Sequence, residues 1–244
     1  MNYFATTPQF TSKPFAGFYV ALKVLGYGDL NFDALWKWSA LMEARESILD
    51  FEKHRQTIKS IDIGGGYSPI HHWCSMTEQI TNVDRNFNDG WFDAKNKMYV
   101  GAPETPTNPS NITYVEQSFE QYAQSVPDES IDRCYDGCSI IHFRKTNELK
   151  RHNDGCAICA DHIYRILKPG GFFIMVSDTC APECKSTTPE WLTAEQIVEC
   201  FTGSGFKQYG PINFSTEGLF TYPSNDGNTL TLSLHTFQKP QCKM

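Results

Sequence analysis

Nothing in this sequence approaches the unbroken apolar run of roughly 18 residues that a membrane-crossing helix needs. Mean hydropathy is −0.41, and no membrane partner is expected. The opening stretch, MNYFATTPQFTSKPFAGFYVALKVL, has no basic start, and Lys23 interrupts its apolar part. It does not read as a secretion signal. Positive charge is scarce: 21 lysines and arginines face 28 aspartates and glutamates, a formal net charge of −7. The densest basic stretch, FRKTNELKRH at 143–152, is short and contains Glu148. Proteins that grip nucleic acid present a basic face, so a DNA partner is not expected. A disulfide framework is missing too. The nine cysteines are odd in number and scattered through apolar segments, which suits reduced thiols in a cytoplasmic protein. No internal repeat is visible, which excludes a solenoid.

What is present is enough for one sizeable core: 244 residues, 40% of them hydrophobic. Residues 1–30 are rich in aromatics and suggest irregular structure. NFDALWKWSALMEARESILDFEKHR predicts a helix, with Asn31 as its N-cap and apolar residues at helical spacing. Residues 1–56 thus form an N-terminal helical, aromatic extension or lid ahead of a second unit at 57–240. In that unit short apolar strands alternate with helices. SIDI, ITNVD, ITYVEQ, the segment around Ile131–Tyr135 and FFIMVS are the strands. Ser68 and Pro69 open one helix, and Thr193 with Gln196 forms a capping box on another. Residues 85–110 are polar and rich in Pro, Gly and Asn, a long loop. YGPINFS and TLTLSLHTFQK, around SNDGN, predict a closing hairpin. The expected fold is α/β, with a mostly parallel sheet and a C-terminal antiparallel hairpin.

A parallel sheet of this kind binds its ligand beyond the carboxyl ends of its strands. The stretch IDIGGGYSP, residues 61–69, follows the first strand there. It lacks what two common loops require. A dinucleotide fingerprint needs G-x-G-x-x-G, and the sixth position here is Pro69. A phosphate loop needs Lys-Ser/Thr after its glycines, and none follows. What stands out instead is an acid, Asp62, two residues ahead of Gly64.

Asp62-Ile63-Gly64-Gly65-Gly66 resembles the acid-first glycine loop of class I S-adenosylmethionine-dependent methyltransferases. NVD, YVEQSFEQ, SIDRCYDGCSIIHF and YRILKPGGFFIMVSD follow in the family's order and spacing, so the resemblance covers most of 57–240. It implies a seven-stranded Rossmann-like sheet with S-adenosylmethionine as cofactor and S-adenosylhomocysteine as product. It puts Asp84 on the ribose hydroxyls with Arg85 beside it, and Ser118 and Phe119 at the adenine edge. Asp62, Gly64, Gly66, Tyr67, Asp136 and Gly137 then line the cofactor, and Arg45 reaches its carboxylate. Gly65 is expected to be incidental. Ser118 stands where the family usually has an acid, so that contact lacks charge assistance.

For chemistry, His142, Asp136 and His71 are the candidate acids and bases. The CAIC pair and DTCAPEC invite a zinc reading, but the pair lies within an apolar helix and no metal is expected. The family segment that methylates nucleic-acid amines is absent after the fourth strand, as is a Pro-Cys pair for cytosine. The expectation is transfer of a methyl group to an oxygen or nitrogen of a small-molecule acceptor. A macromolecular (RNA or protein) acceptor, or an inactive scaffold that keeps the fold, are the alternatives. Oligomeric state is not legible.

Overall fold

The structure is a computed structural model. It describes residues 2–5, 13–24, 32–48, 58–66, 68–85, 109–140, 154–182, 191–210, 212–214, 217, 219–224 and 227–241. Its strands are β1 (Asn2–Phe4), β2 (Lys59–Ile63), β3 (Gln79–Asp84), β4 (Ile112–Glu116), β5 (Ile131–Gly137) and β6 (Leu167–Cys180). Four more follow: β7 (Lys207–Gln208), β8 (Ile212–Asn213), β9 (Thr221–Pro223) and β10 (Thr229–Gln238). The helices are α1 (Lys13–Val24), α2 (Phe32–Ile48), α3 (Pro69–Ser75), α4 (Phe119–Ser125), α5 (Asp154–Ile166) and α6 (Ala194–Gly203).

One sheet runs in the order β4-β3-β2-β5-β6-β10-β1-β8, with β7 and β9 also on β10. From β4 to β6 every pairing is parallel, and β10 lies antiparallel to β6 over Phe172–Cys180. β6 contains the apolar run FFIMVS because helices cover both of its faces. Along β6 the alternation is visible. Phe173 and Met175 join the core under α4, α5 and α6, while Ile174 and Val176 join the core under α1, α2 and α3. Thr193 and Gln196 do form the capping box of α6, with Thr193 N donating to Gln196 Oε1 at 2.9 Å.

Two expectations change. The aromatic N-terminus is not irregular throughout. β1 enters the sheet beside β10, with Tyr3 opposite Leu234 and Phe4 opposite Ser233, and α1 follows. That occupies the edge of β10 the closing hairpin was expected to use. Residues 212–213 therefore pair in parallel with β1, and the hairpin partner of β10 is β9, around 224–228. β6 begins at Leu167, directly after α5, and bulges at 168–171: Ile131 pairs with Leu167 and Arg133 with Phe172, and Gly170 (φ +83) is pinned by Gly170 N donating to Lys239 O at 2.8 Å.

Helix α2 lies across the sheet with Trp36, Ala40, Leu41 and Ala44 buried at helical spacing. Charges tie it at both ends. Lys37 Nζ is 2.9 Å from Asp178 Oδ1, near the carboxyl end of β6. Arg45 Nε donates to Glu78 Oε1 at 2.9 Å, at the amino end of β3. Glu78 also accepts from Arg133 Nη1 at 2.8 Å and from Tyr135 OH at 3.1 Å, and is itself fully buried. Removing one member of such a pair leaves an unpaired buried charge. Glu78→Ala should therefore cost about 3–5 kcal/mol in urea unfolding. A loss of under about 1 kcal/mol, the range of an exposed pair, would mean that Arg45 and Arg133 find water instead.

Candidate active site

Beyond β2 the chain winds outward through β3 and β4, then returns to the other side of β2 with β5 and β6. The switch point therefore lies between β2 and β5, at their carboxyl ends. The glycine turn sits there, and its three glycines answer to three different constraints. Gly64 has φ +59, and an added Cβ would fall 2.3 Å from Ser139 Cβ at the end of β5. Gly66 has φ +46, with Asp84 Oδ2 3.4 Å from where its Cβ would be. Gly65 is not incidental: its Cβ would fall 2.3 Å from Asp62 Oδ2 and 2.6 Å from Asn82 Oδ1. The turn is fastened by Gly64 N donating to Val83 O (2.7 Å) and Asn82 Nδ2 donating to Gly66 O (2.8 Å).

Under the turn, Asp62, His71 and Asn82 make a buried polar cluster. His71 Nδ1 is 3.1 Å from both Asp62 Oδ2 and Asn82 Nδ2. Burial lifts the Asp62 carboxyl to about 8, against the pull of the Ser68 hydroxyl and with the Asp84 charge adding to the lift. Burial takes His71 down to about 3. Both shifts favour a pair without net charge. Asp62 Oδ1 and Asn82 Oδ1 have no hydrogen-bond partner among the described residues. His71 is thus a strut beneath the glycine turn, 1% exposed. A buried neutral ring held on Asp62 cannot serve as a base for an external acceptor, so His71 leaves the list of candidate bases.

At the end of β5, Asp136 is fully buried. Its Oδ1 accepts from Ser139 N (2.9 Å), Ile140 N (3.2 Å) and the Ser139 hydroxyl. Its Oδ2 has no partner among the described residues. Burial raises this carboxyl to about 7, while the Ser139 and Ile140 bonds pull it back and the Asp62 charge adds a little. Ser139 also donates to Ile63 O at 2.6 Å, joining the end of β5 to the glycine turn. The Trp38 ring of α2 lies over Gly137, where an added Cβ would come within 2.2 Å of it. Beside it, Asp178 is held by Lys37, by Cys138 Sγ at 2.9 Å and by the Tyr222 hydroxyl. Cys138 takes the left-handed conformation, φ +78, to make that contact.

The other expected residues divide. Asp84 ends β3 next to Gly66, and Arg85 is exposed just beyond it. Ser118 caps α4, its hydroxyl accepting from Gln121 N at 3.3 Å. Phe119 is 2% exposed and packs into the core with Ile63 and Val83, so it is not an open adenine edge. Arg45 is a correction. It lies at the amino ends of the strands, bound to Glu78, Glu46 and Thr77, and is turned away from the switch point. Tyr67 and His142 lie outside the described residues, as do Cys184 and most of 85–110. Asn82 and Ser139 are additions to the expected set, whereas Trp38 belongs to the aromatic extension or lid expected at 1–56. The signals for the first two were a polar residue alternating within an apolar strand and an Asp-x-x-Ser spacing that lets a carboxylate cap its own turn.

No protein-family model matches the chain, and no curated protein matches it in sequence. Solved structures do. One is a 1,6-didemethyltoxoflavin-N1-methyltransferase of Burkholderia thailandensis, with S-adenosylhomocysteine bound. It is 12% identical with a TM-score of 0.53, covering 97% of this chain and 92% of that one. Another is a phosphoethanolamine N-methyltransferase 2 of Haemonchus contortus, in complex with S-adenosyl-L-methionine. It is 15% identical with a TM-score of 0.52, and the match covers 84% of this chain but 53% of that one. This chain thus spans about half that protein's length. The cyclase SpnF also matches, at 13% identity and TM-score 0.53, over 88% of this chain and 84% of that one. The fold is that of class I S-adenosylmethionine-dependent methyltransferases, and SpnF shows that this fold also carries other chemistry.

Two outcomes test the geometry. Gly65→Ala should destabilise the chain by about 1–3 kcal/mol, the usual cost of overpacking, read as a lower urea midpoint. An unchanged midpoint would show that the turn can shift away from Asp62. The second concerns pH. Asp62 is raised from 3.8 to about 8 in the fold, so its contribution is complete below about pH 4 and is lost as pH rises toward 8. His71, lowered to about 3, works in the opposite sense and loses its contribution only as pH falls below its usual range. Asp62→Asn removes the alkaline loss. The variant should gain on the native chain between pH 5 and 8, by at most about 1.4 kcal/mol per pH unit, in paired urea titrations. A difference flat with pH would sink this placement of the proton.

Proposed function

We propose that this chain is a methyltransferase that uses S-adenosylmethionine to methylate an oxygen or nitrogen of a small-molecule acceptor. One observation carries the reading. Three acid-bearing strand ends, at Asp62, Asp84 and Asp136, converge on a glycine turn whose first two positions, Gly64 and Gly65, have no room for a side chain, at the switch point of a methyltransferase fold. The residues fit such a ligand. Gly64 and Gly66 bring bare backbone to the edge in a conformation that favours glycine. The buried Oδ1 of Asp62 and Oδ2 of Asp136 are without partners among the described residues, and buried oxygens of this kind call for a donor.

When bound, the cofactor supplies an electrophilic methyl group on a positively charged sulfur. The protein supplies position and charge. Asp84, ending β3, accepts from the two vicinal hydroxyls of the ribose. Asp136, at the end of β5 with its buried Oδ2 unpartnered among the described residues, is the carboxyl assigned to the acceptor side. Trp38 packs over Gly137 beside the Lys37–Asp178 pair. The formal net charge of −7 disfavours a nucleic-acid acceptor. The similar structures named for small acceptors support the small-molecule reading.

Calorimetric titration with S-adenosylmethionine and S-adenosylhomocysteine tests the proposal. Both should bind, and Asp84→Ala should weaken both by about 1.5–3 kcal/mol, because a carboxylate's hydrogen bonds are lost. That corresponds to roughly 10- to 150-fold in dissociation constant. A folded chain giving no heat at millimolar ligand would overturn the reading. Binding without methyl transfer to any candidate amine or alcohol would instead mark a scaffold.

A further inference from the structure

Helix α2 brings an aromatic side chain to the switch edge beside the glycine turn. Trp38 is half-buried and packs against the core under α1, α2 and α3. Its six-membered ring lies on Gly137 at the end of β5. A Cβ there would fall 2.2 Å from Trp38 Cζ3 and 2.5 Å from Cη2, so only glycine lets the ring come so close. The indole N–H is buried and has no hydrogen-bond partner among the described residues, although a buried indole N–H usually finds one.

The charges around the ring suit a cation. Lys37 precedes Trp38 on α2, and its Nζ is 2.9 Å from Asp178 Oδ1. Asp178 also accepts from Cys138 Sγ at 2.9 Å and from the Tyr222 hydroxyl. The lysine beside the ring is thus offset by a carboxylate, and Arg45, the other basic residue of α2, is held at the far edge by Glu78. Strand order sets what passes the ring. β3, β2 and β5 are neighbours, about 4.8 Å apart. A cofactor with its ribose on Asp84 and its adenine toward β4 runs from β3 across the glycine turn toward β5. Its sulfur, one carbon beyond the ribose ring, lies on the Trp38 side of Asp84.

We propose that Trp38 is a specificity-determining residue whose ring reads the charge on the cofactor's sulfur. This rests on the S-adenosylmethionine reading above. A cation is attracted to the face of an aromatic ring, and most strongly to that of tryptophan. S-adenosylmethionine carries a positive sulfonium. S-adenosylhomocysteine, left after methyl transfer, carries a neutral thioether. The ring therefore favours the substrate form over the product form, and its hold relaxes once the methyl group has gone. The indole N–H cannot draw this distinction, because both forms carry the same carboxylate and hydroxyl oxygens.

Calorimetric titration of the full chain with both compounds tests this, read as the ratio of their dissociation constants. Trp38→Leu should shift the ratio against S-adenosylmethionine by roughly 2- to 30-fold, the range of a cation over an aromatic ring. Trp38→Phe keeps a ring, loses the N–H, and should retain most of the native ratio. If urea unfolding shows that Trp38→Leu does not fold, fluorotryptophan takes its place, since fluorine draws electron density from the ring at nearly constant shape. With all five tryptophans so replaced, the ratio should shift the same way in the native chain. In Trp38→Phe, where the remaining tryptophans carry the fluorine, it should stay put. An unchanged ratio in Trp38→Leu, or equal weakening of both compounds, would overturn the proposal and leave the methyltransferase reading standing. A folded native chain that binds neither compound would overturn that reading itself, and this inference with it.

Discussion

The switch edge depends on how closely the backbone at 64–66 lies against its neighbours. Each glycine is held by a different element: Gly64 by Ser139 at the end of β5, Gly65 by Asp62 and Asn82 beneath, Gly66 by a positive φ beside Asp84. A turn held from three directions has little freedom left to lose. That is the preorganisation a ligand site needs, since ordering costs are met in folding and not in binding. The same crowding explains the buried polar cluster below. Gly65 can approach Asp62 so closely only because it has no side chain, and that approach shuts water away from the carboxyl. Burial of this kind is what raises the Asp62 carboxyl.

The second organising element is α2, which crosses one face of the sheet from the carboxyl to the amino ends of the parallel strands. Its apolar stripe covers Tyr135, Ile174 and Val176, and its two basic residues reach opposite edges. Lys37 goes to Asp178 at the switch edge and Arg45 to Glu78 at the far edge. Two residues only eight apart in sequence thus lie a little over two helical turns apart. One belongs to the site and the other cannot. The position of Trp38 over Gly137 follows from this fastening, because a helix held at Lys37 presents the next side chain to the end of β5.

The sequence made the parallel core legible because strand and helix periods differ, and because Ser68, Pro69, Thr193 and Gln196 mark helix starts by local chemistry. The acids Asp62, Asp84 and Asp136 were legible for the same local reason, each closing a short apolar strand. Arg45 was not, since a position along a helix says nothing about which edge of a sheet that end will reach. Gly65 was not, because its constraint is a through-space distance to Asp62 and Asn82. His71 looked like a base by type, and only its burial on Asp62 shows otherwise. The pairing of β1 with β10 was hidden because three residues, Asn2–Phe4, give no period to read, and their place in the sheet was set by the long edge of β10.

Charge at the switch edge now has a direction. Asp62 and Asp136 feel one another, and Asp84 adds to the lift on Asp62. Asp62 and Asp136, buried at one edge of a chain with a formal net charge of −7, cannot both ionise without cost. Lys37, at this edge, is paired with Asp178. A ligand that brings positive charge to this edge relieves that repulsion, whereas an anionic one deepens it.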